Sequence, residues 1–336
     1  MSAQPNRVRS PWLLAVLLAA AAVVAQALLV PLFAAPQADL APRDLPVAVA
    51  GPAPATAELA GRLAAARPGA FAVTTLPDAA AADQALRDRD VYAAFVAGPD
   101  GIALHTAPAA SPIVAALLTE ASVQLAAGRP MPVIQVVPAD PDDPRGTGFA
   151  SGFLPLALTS MLAGALLTFL VARRSARLVG LLTYAVLAGL AGTAVLHGWL
   201  GILDGSGWRE AGAIGLFALA AAGIVAGLGG LLGGLGIGLG ALLVFLVGNP
   251  LSAVGAAPEL LPQPWGAVGQ FLPVGAGGTL LRSAAFFDGA GAGRSFAVLA
   301  GYAVVGLALI LVGRFRAGGP AEAAAGPAVR AAEITV

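Results

Sequence analysis

The amino-acid sequence predicts a polytopic α-helical membrane protein with six transmembrane helices and an extracytoplasmic mixed α/β domain between helices 1 and 2. Composition is the first indication: of 336 residues, 58% are hydrophobic and only 11% are charged, whereas a soluble domain has about 25% charged residues. The second is that uncharged apolar runs recur along the chain, each close to the roughly 20 residues that cross a bilayer as a helix. A polar stretch interrupts them after the first run.

The first apolar run predicts a transmembrane helix within an amino-terminal unit, residues 1–34, that begins in the cytoplasm. The run covers residues 12–34, which is longer than the about 7–15 apolar residues of a signal peptide. We therefore expect an uncleaved anchor. A cleaved signal peptide is the alternative, because Ala25-Gln26-Ala27 has the small-x-small form of a cleavage site.

Five more spans are predicted in a transmembrane domain that covers residues 149–316. Residues 211–247 contain no charge, and as one helix they would measure about 55 Å against an apolar core of about 30 Å. We expect two short spans instead, joined near the glycine cluster 229–236. The remaining predicted spans cover residues 149–172, 178–200 and 296–312.

Arginines at the ends of these runs predict the orientation. They stand at Arg7, Arg9, Arg173, Arg174, Arg177, Arg314 and Arg316. Short loops rich in arginine stay in the cytoplasm. The chain is therefore expected to be a multi-pass protein of the bacterial cytoplasmic membrane with both termini cytoplasmic, including a disordered tail at residues 317–336.

Residues 35–148 predict the mixed α/β domain, since strand-like and helical patterns alternate there. Strands are expected at residues 45–50, 71–76, 91–97, 102–106 and 131–137, and helices at 55–66, 78–89 and 112–127. Asp78 stands where the cap of the second of these helices is expected. About 110 residues can bury a hydrophobic core without disulfides.

Residues 249–295 are mostly apolar, but prolines break them into short pieces. Two half-helices, residues 260–272 and 275–287, are expected to meet at Pro273. In one interpretation the segment lies on the headgroups with Trp265 and Phe271 as anchors. In the other it re-enters the membrane as a gate over a substrate path, for which the candidate residues are Trp265, Pro273, Arg282, Phe286 and Phe287.

Composition removes most enzyme classes. All 18 basic residues are arginine, so the chain lacks the lysine of a P-loop and of a Schiff base. It has no cysteine and two histidines far apart in sequence, which makes thiolate chemistry and a metal site poor candidates. A net charge of zero does not favour nucleic acid. We predict no enzymatic activity, no catalytic residue, no cofactor and no metal in this chain.

Polar residues in the loops are expected to be solvated. Asp140, Asp142 and Asp143 stand among prolines in a predicted linker, and Asp204, Arg209 and Glu210 stand in a predicted short loop. With these acids assigned to loops, no acid is expected inside the membrane, and a proton relay would lack its usual groups.

Two local sequences resemble a known family. Residues 78–96 are DAAAADQALRDRDVYAAFV. Residues 248–289 carry Leu-Pro, Trp, Leu-Pro-x-Gly and Arg…Phe-Phe-Asp-Gly elements. Together with one span, a large external domain and five further spans, they resemble ABC-2 type transporter permeases, in particular the YhgE/Pip-like actinobacterial family. The resemblance covers almost the whole chain.

The resemblance implies an integral membrane permease subunit of an exporter. Such permeases pair as homodimers or heterodimers in the lipid bilayer, and a separate cytoplasmic ABC ATPase subunit hydrolyses the ATP. A hydrophobic or amphiphilic compound or a lipid would be the substrate. The alternative is a non-transporting, membrane-anchored envelope protein whose external domain binds a partner or cell-wall component.

Two groups of residues keep two interpretations each. Arg173, Arg174 and Arg177 are either topology anchors or the loop that contacts the ATPase. Arg282 either snorkels to the headgroups or pairs with Asp288 or Glu259, or it contacts an anionic or lipid-like substrate.

Overall fold

A computed structural model describes residues 11–99, 101–125 and 131–313. Residues 1–10 with Arg7 and Arg9, and the tail with Arg314 and Arg316, lie outside the described residues, as does the disorder predicted for 317–336. The chain begins with helix α1, Pro11–Ala38, and continues into an α/β domain. The elements of that domain are β1 Leu45–Ala50, α2 Ala53–Ala66, β2 Phe71–Leu76, α3 Ala79–Arg87, β3 Ala93–Gly98, β4 Gly101–Thr106, α4 Pro112–Leu125 and β5 Val133–Gln135.

The strands form one mixed sheet in the order β2-β1-β3-β4-β5. β1 runs parallel to β2 and β3, β4 is antiparallel to β3, and β5 is parallel to β4. The strand and helix positions agree with the sequence pattern to within about two residues at most ends, although β5 is shorter than expected. The Asp78 cap is confirmed, because its Oδ1 accepts a hydrogen bond from the Ala81 amide at 2.8 Å.

The rest of the described chain is helical. Its elements are α5 Thr147–Leu170, α6 Arg174–Thr193, α7 Gly207–Leu232, α8 Gly234–Ala241, α9 Gly248–Leu251, α10 Trp265–Gly269, α11 Pro273–Phe286 and α12 Gly293–Val312. π-helical turns extend α6 to Trp199 and join α8 to α9. A 3₁₀ turn at Pro258–Leu260 precedes α10.

Six helices in the described ranges are long and apolar enough to cross a membrane, which agrees with a polytopic helical membrane protein. They are α1, α5, α6 with its π turn, α7, α8 through α9, and α12. The predicted division of residues 211–247 is confirmed: α7 ends at Leu232 and α8 begins at Gly234. Gly233 forms the turn with φ +66° and ψ −139°, a conformation that favours glycine.

Helix α7 is the centre of the bundle. It packs against α5, α6, α11 and α12, and most of its middle is buried. Small residues allow this close packing; a Cβ on Gly306 of α12 would lie 2.4 Å from the Gly223 carbonyl carbon of α7. By contrast, α1 has no buried residue in its most apolar window, so its surface is available to lipid.

We define the broken segment as residues 252–292, the chain between the fifth and sixth membrane-length helices. Of the two expected half-helices, the second is confirmed as α11, which begins at Pro273, whereas the first is not formed, because α10 is one short turn. The headgroup interpretation suits α10, whose Trp265 is 51% exposed. It does not describe α11, because 12 of its 14 residues are buried and the helix packs against α7, α9 and α12.

The linker before α5 is also more ordered than its sequence suggests. Asp140 and Asp143 are buried, so solvation is the wrong interpretation for both. The Asp143 carboxylate accepts hydrogen bonds from the amides of Gly148, at 3.0 Å, and Phe149, at 2.7 Å. These amides belong to the first turn of α5, where helix N–H groups have no partner within the helix.

Substitution of Asp143 by alanine is therefore expected to lower the free energy of unfolding by about 1 kcal/mol, the usual cost of losing a helix cap. Asp142 is the matched control, since it is exposed and its carboxylate accepts no hydrogen bond from a described residue, and Asp142→Ala should change stability by less than about 0.5 kcal/mol. Thermal unfolding of the detergent-purified proteins measures both. Equal effects of the two substitutions would contradict the capping role.

Candidate functional site

The broken segment belongs to two hydrophobic cores at once. Ala256, Ala257 and Leu260 pack with the sheet residues Val47, Phe95 and Leu104, while Phe287 packs against the sheet's other face. On its opposite side α11 buries Val274 and Leu281 against α5 and α7. We call the broken segment, together with the side chains of the α/β domain and of the bundle that contact it, the junction. It joins the α/β domain to the membrane-length helices.

Backbone contacts hold the 3₁₀ turn of the broken segment to the chain that leaves α1. The Ala41 amide donates to the Leu260 carbonyl and the Arg43 amide to the Glu259 carbonyl, each at 3.0 Å. The Arg43 guanidinium adds a bond to the Leu260 carbonyl at 2.8 Å. The end of α1 and the sheet are thereby fastened to the same turn.

Two side chains at the end of α3 and the start of β3 contact the broken segment. The Tyr92 hydroxyl donates to Glu259 Oε2 at 2.9 Å. Arg89 donates to the Thr279 carbonyl at 3.2 Å and to the Ser283 hydroxyl of α11. The Arg89 guanidinium also lies 5.0 Å from the centroid of the Phe287 ring, within the range of a cation–π contact.

Arg282 is buried in the junction and makes neither of the ion pairs expected for it with Asp288 or Glu259. Its side chain donates to the Val254 carbonyl at 2.7 Å and stands 4.6 Å from the centroid of the Phe149 ring. Asp288 pairs instead with Arg209 at 2.6 Å, and Glu259 bonds to Tyr92. A snorkelling Arg282 is therefore wrong for this conformation, because the residue is 6% exposed.

A small cavity of about 20 Å³ adjoins Arg282, which is room for about one water molecule. Among its lining residues are Asp140 and Asp143 from the linker, Phe149 of α5 and Phe286 of α11. The Phe149 and Phe286 rings are tilted, with centroids 6.2 Å apart. The linker, α5 and α11 therefore meet at Arg282.

Burial shapes the electrostatics of the junction. It lowers the pKa of Arg282 to about 10, an effect to which the nearby Arg89 charge adds, and Arg282 therefore stays charged at neutral pH. Burial likewise lowers the pKa of Arg89, partly offset by Tyr92 and Glu259. Burial and then the Glu259 carboxylate raise the pKa of Tyr92, so its hydroxyl remains a hydrogen-bond donor.

The structure brings together some of the predicted gate residues and separates others. Arg282, Phe286 and Phe287 lie in the junction, and Pro273 begins the same helix. Trp265 lies elsewhere, in an apolar groove that α10 forms with the end of α1. The junction side chains Arg89, Tyr92 and Glu259 were not candidates from sequence, because their contacts join residues 167 to 194 positions apart.

The three arginines that are candidates either for topology anchors or for an ATPase contact have different environments at the opposite end of the bundle. Arg177 is 2% exposed, and it donates to the carbonyls of Val171 and Thr168 at the end of α5. Arg174 donates to the Leu311 carbonyl of α12 at 2.9 Å and remains exposed, as does Arg173. Arg177 is thus a structural residue here, and only Arg173 and Arg174 offer accessible charge.

Glu210 corrects another expectation. It lies in the first turn of α7 and is 0% exposed, rather than in a solvated loop. Its Oε1 accepts from the Gly205 amide at 3.0 Å, and its Oε2 lies 3.0 Å from His197 Nδ1 in the π turn after α6. A membrane-length helix therefore does contain a buried acid. Asp204 and Arg209 are exposed, as expected.

No family model, curated protein or solved structure matches this chain. The resemblance to ABC-2 type permeases therefore stays a prediction from the quoted sequence elements. The geometry of the junction has to carry the functional argument. Within the described residues no cluster of three or more His, Asp or Glu side chains could hold a metal ion.

Proposed function

We propose that this chain is the permease subunit of an ATP-driven exporter for a hydrophobic or amphiphilic compound or a lipid. In this proposal the α/β domain is extracytoplasmic, both termini are cytoplasmic, and six helices cross the cytoplasmic membrane. The permease pairs with a second permease, identical or related, and a separate ABC ATPase supplies the energy. The chain's lack of lysine, and so of a P-loop, supports a separate ATPase.

The observation that carries the proposal is the double packing of α11. The α/β domain contacts this helix through Arg89, which follows α3, and through Phe287, which directly follows α11 and packs against the sheet, while Val274 and Leu281 of the helix pack in the bundle. Because packed cores do not deform continuously, a shift of α7 or α5 has to move the α/β domain or break the junction. An anchored domain needs only a tether, whereas a transporter needs such coupling between its layers.

Two π-helical turns support the same proposal. They lie at Ala194–Trp199 and Leu242–Val247, at the end of the bundle that faces the α/β domain. Such turns often mark functional sites, since they loosen the regular hydrogen-bond ladder of a helix. In the proposed mechanism, motion driven by the ATPase at the arginine-rich end reaches these turns along α6 and α8, and the junction transmits it to the domain.

Purification from native membranes in a mild detergent tests the proposal. We expect an ATPase to co-purify in stoichiometric amount, with hydrolysis that depends on this chain. The paired substitution Arg173→Gln and Arg174→Gln should weaken this association at least several-fold if the loop is the contact. Arg209→Gln is the control, because Arg209 is exposed at the other end of the bundle.

The outcomes separate the two parts of the proposal. Unchanged association in the paired arginine variant, with correct topology, would remove this loop as the contact and leave the permease proposal standing. No ATPase after chemical cross-linking of the membranes would remove the permease proposal itself. Arg177 is left intact in this experiment, because its substitution would disturb the end of α5.

One observation favours the alternative of an anchored envelope protein that binds a partner. The α/β domain has an open groove of about 460 Å³ between α4 and the sheet, lined in part by Thr106, Thr119, Glu120 and Gln135. Val123 and Val133 at this groove are 61% and 40% exposed. Retention of the isolated membrane protein by cell-wall fragments, with no associated ATPase, would support this alternative.

A further inference from the structure

An apolar groove lies beside Trp265, where the end of α1 meets α9 and the broken segment. It measures about 280 Å³ and has walls from three places in the chain, close to the about 300 Å³ at which ligand pockets begin. Its lining residues are Pro31, Leu32, Ala35 and Pro36 from α1, Leu251 from α9, and Pro262 and Trp265 from the broken segment. None of the seven is charged or has a carboxylate, amide or hydroxyl side chain.

The position of this groove indicates that lipid acyl chains fill it. Four of its residues lie on one side of the last turns of α1, a helix of membrane length with mean hydropathy 2.7 in its most apolar window. Most of the rest of α1 is exposed, with Leu28 at 69% and Val30 at 57%. In a bilayer these surfaces contact acyl chains, and the groove opens from the same surface.

The opposite wall of the groove is held rigidly. A Cβ on Gly269 would lie 1.7 Å from the Leu251 carbonyl oxygen, and one on Gly266 would lie 1.9 Å from the Pro258 carbonyl oxygen. The α10 turn is therefore pressed against the backbone on both of its sides. Trp265 is presented on a preformed surface, and a bound chain would not have to order it.

A cation stands at the edge of the same turn. Arg294, in the first turn of α12, lies 4.3 Å from the centroid of the Phe271 ring. Phe271 follows Trp265 by six residues in a run of tight turns, about 10 Å along the chain axis. Arg294 is exposed, and no described carboxylate forms an ion pair with it. An apolar groove and a cation held by an aromatic ring thus occupy one end of the bundle.

We propose that this groove binds one anionic phospholipid from the surrounding bilayer. One acyl chain lies between α1 and Trp265, and the headgroup phosphate contacts the Arg294 guanidinium. Charge and depth together identify the occupant. A free anion would gain nothing from contact with the apolar walls, and an uncharged oil would gain nothing from contact with the arginine. The inference goes beyond the proposed function and holds whether or not the chain transports anything.

Competition between phospholipids at Trp265 tests this site. The chain has four tryptophans, so Trp12→Phe, Trp199→Phe and Trp208→Phe leave Trp265 alone. The variant is reconstituted in brominated phosphatidylcholine, which quenches nearby tryptophan, with increasing unbrominated phosphatidylglycerol. We expect phosphatidylglycerol to displace the quencher from Trp265 about fivefold better than unbrominated phosphatidylcholine does, the effect of one basic residue near a membrane surface.

Three controls make the result specific. A variant that keeps only Trp208, which is 82% exposed at the same end of the bundle, should show equal competition by both lipids. Arg294→Gln should reduce the fivefold preference at Trp265 to about one, without unfolding, because Arg294 is exposed. Ala35→Phe, which fills the groove, should lower quenching at Trp265 and leave quenching at Trp208 unchanged.

Equal competition by the two lipids at Trp265 with Arg294 present would overturn the proposal, since it describes bulk lipid rather than a site. A preference that survives Arg294→Gln would overturn the assignment of the headgroup contact. Neither result bears on ATPase association, so failure of this site and failure of the permease proposal are distinguishable.

Discussion

Replacement of Gly236 by alanine should lower the free energy of unfolding by about 3 kcal/mol, the upper end of the cost of overpacking. A Cβ at this position would lie 1.9 Å from the carbonyl oxygen of Leu228, which is backbone and cannot turn away. The α7–α8 hairpin would have to separate. This would disturb the other helices of the bundle, because most of them pack against α7. Thermal unfolding in detergent should show a fall in Tm of several degrees.

Gly238, two residues further along α8, is the matched control. No atom lies within 4 Å of its Cβ position, so alanine there only removes backbone freedom. We expect Gly238→Ala to stabilise the protein by up to about 1 kcal/mol, the difference in helix propensity. The two substitutions add the same methyl group to the same helix and should have opposite signs. Destabilisation by both would show that α8 does not approach α7 as described.

The second large effect is expected at Arg282. Arg282→Leu leaves the Val254 carbonyl without its donor, which costs about 1–3 kcal/mol for a buried group, and it removes the cation–π contact with Phe149. Relief from burying a cation offsets part of this. We expect a net loss of about 2 kcal/mol and, because α11 joins both layers, weaker protection of the α/β domain from proteolysis.

Two further variants separate the buried contact from charge alone. Arg209→Gln removes a cation from an exposed ion pair with Asp288 and should change stability by less than about 0.5 kcal/mol. Arg282→Lys keeps the charge but loses the planar guanidinium, so it should fall between wild type and Arg282→Leu. If Arg282→Leu matches Arg209→Gln, the junction does not depend on this arginine.

Local features of the structure were predictable from sequence. The length and apolarity of each run predicted the membrane-length helices, because a helix satisfies its own backbone in an apolar phase. Asp78 predicted its cap, since the capping bond joins residues three apart. The excess length of residues 211–247 predicted a break near the glycine cluster, and the structure places it at Gly233.

The candidate site was predicted only in part. Arg282 was singled out as a charge in an apolar helix, but the two acids expected to pair with it, Asp288 and Glu259, bond to other residues. Its actual partners are the Val254 carbonyl and the Phe149 ring. Both are uncharged, so the expectation that an arginine pairs with an acid does not predict them. The domain limit at residue 148 was also too simple, because Ala256, Ala257 and Leu260 complete the core of the sheet.

Burial separated residues that have the same sequence signal. Arg173 and Arg177 both follow a span, yet one is exposed and the other caps α5. Glu210 and Asp204 stand in one short polar stretch, yet only Glu210 is enclosed, beside His197. Charge and sequence spacing are similar for the two members of each pair, so they do not distinguish the exposed residue from the buried one. The difference in burial comes from neighbours distant in the chain.

The sequence by itself determined that this protein has six apolar runs long enough to cross a membrane, that the stretch 211–247 is broken near its glycine cluster, and that a strand-and-helix unit follows the first run. Each of these depends on interactions within a few residues and on the apolar content of one run. Only the tertiary structure decided that the broken segment belongs to the sheet and the bundle together, through Arg89, Tyr92 and Arg282. Those contacts join residues up to 194 positions apart, and such pairing depends on how the chain folds back on itself.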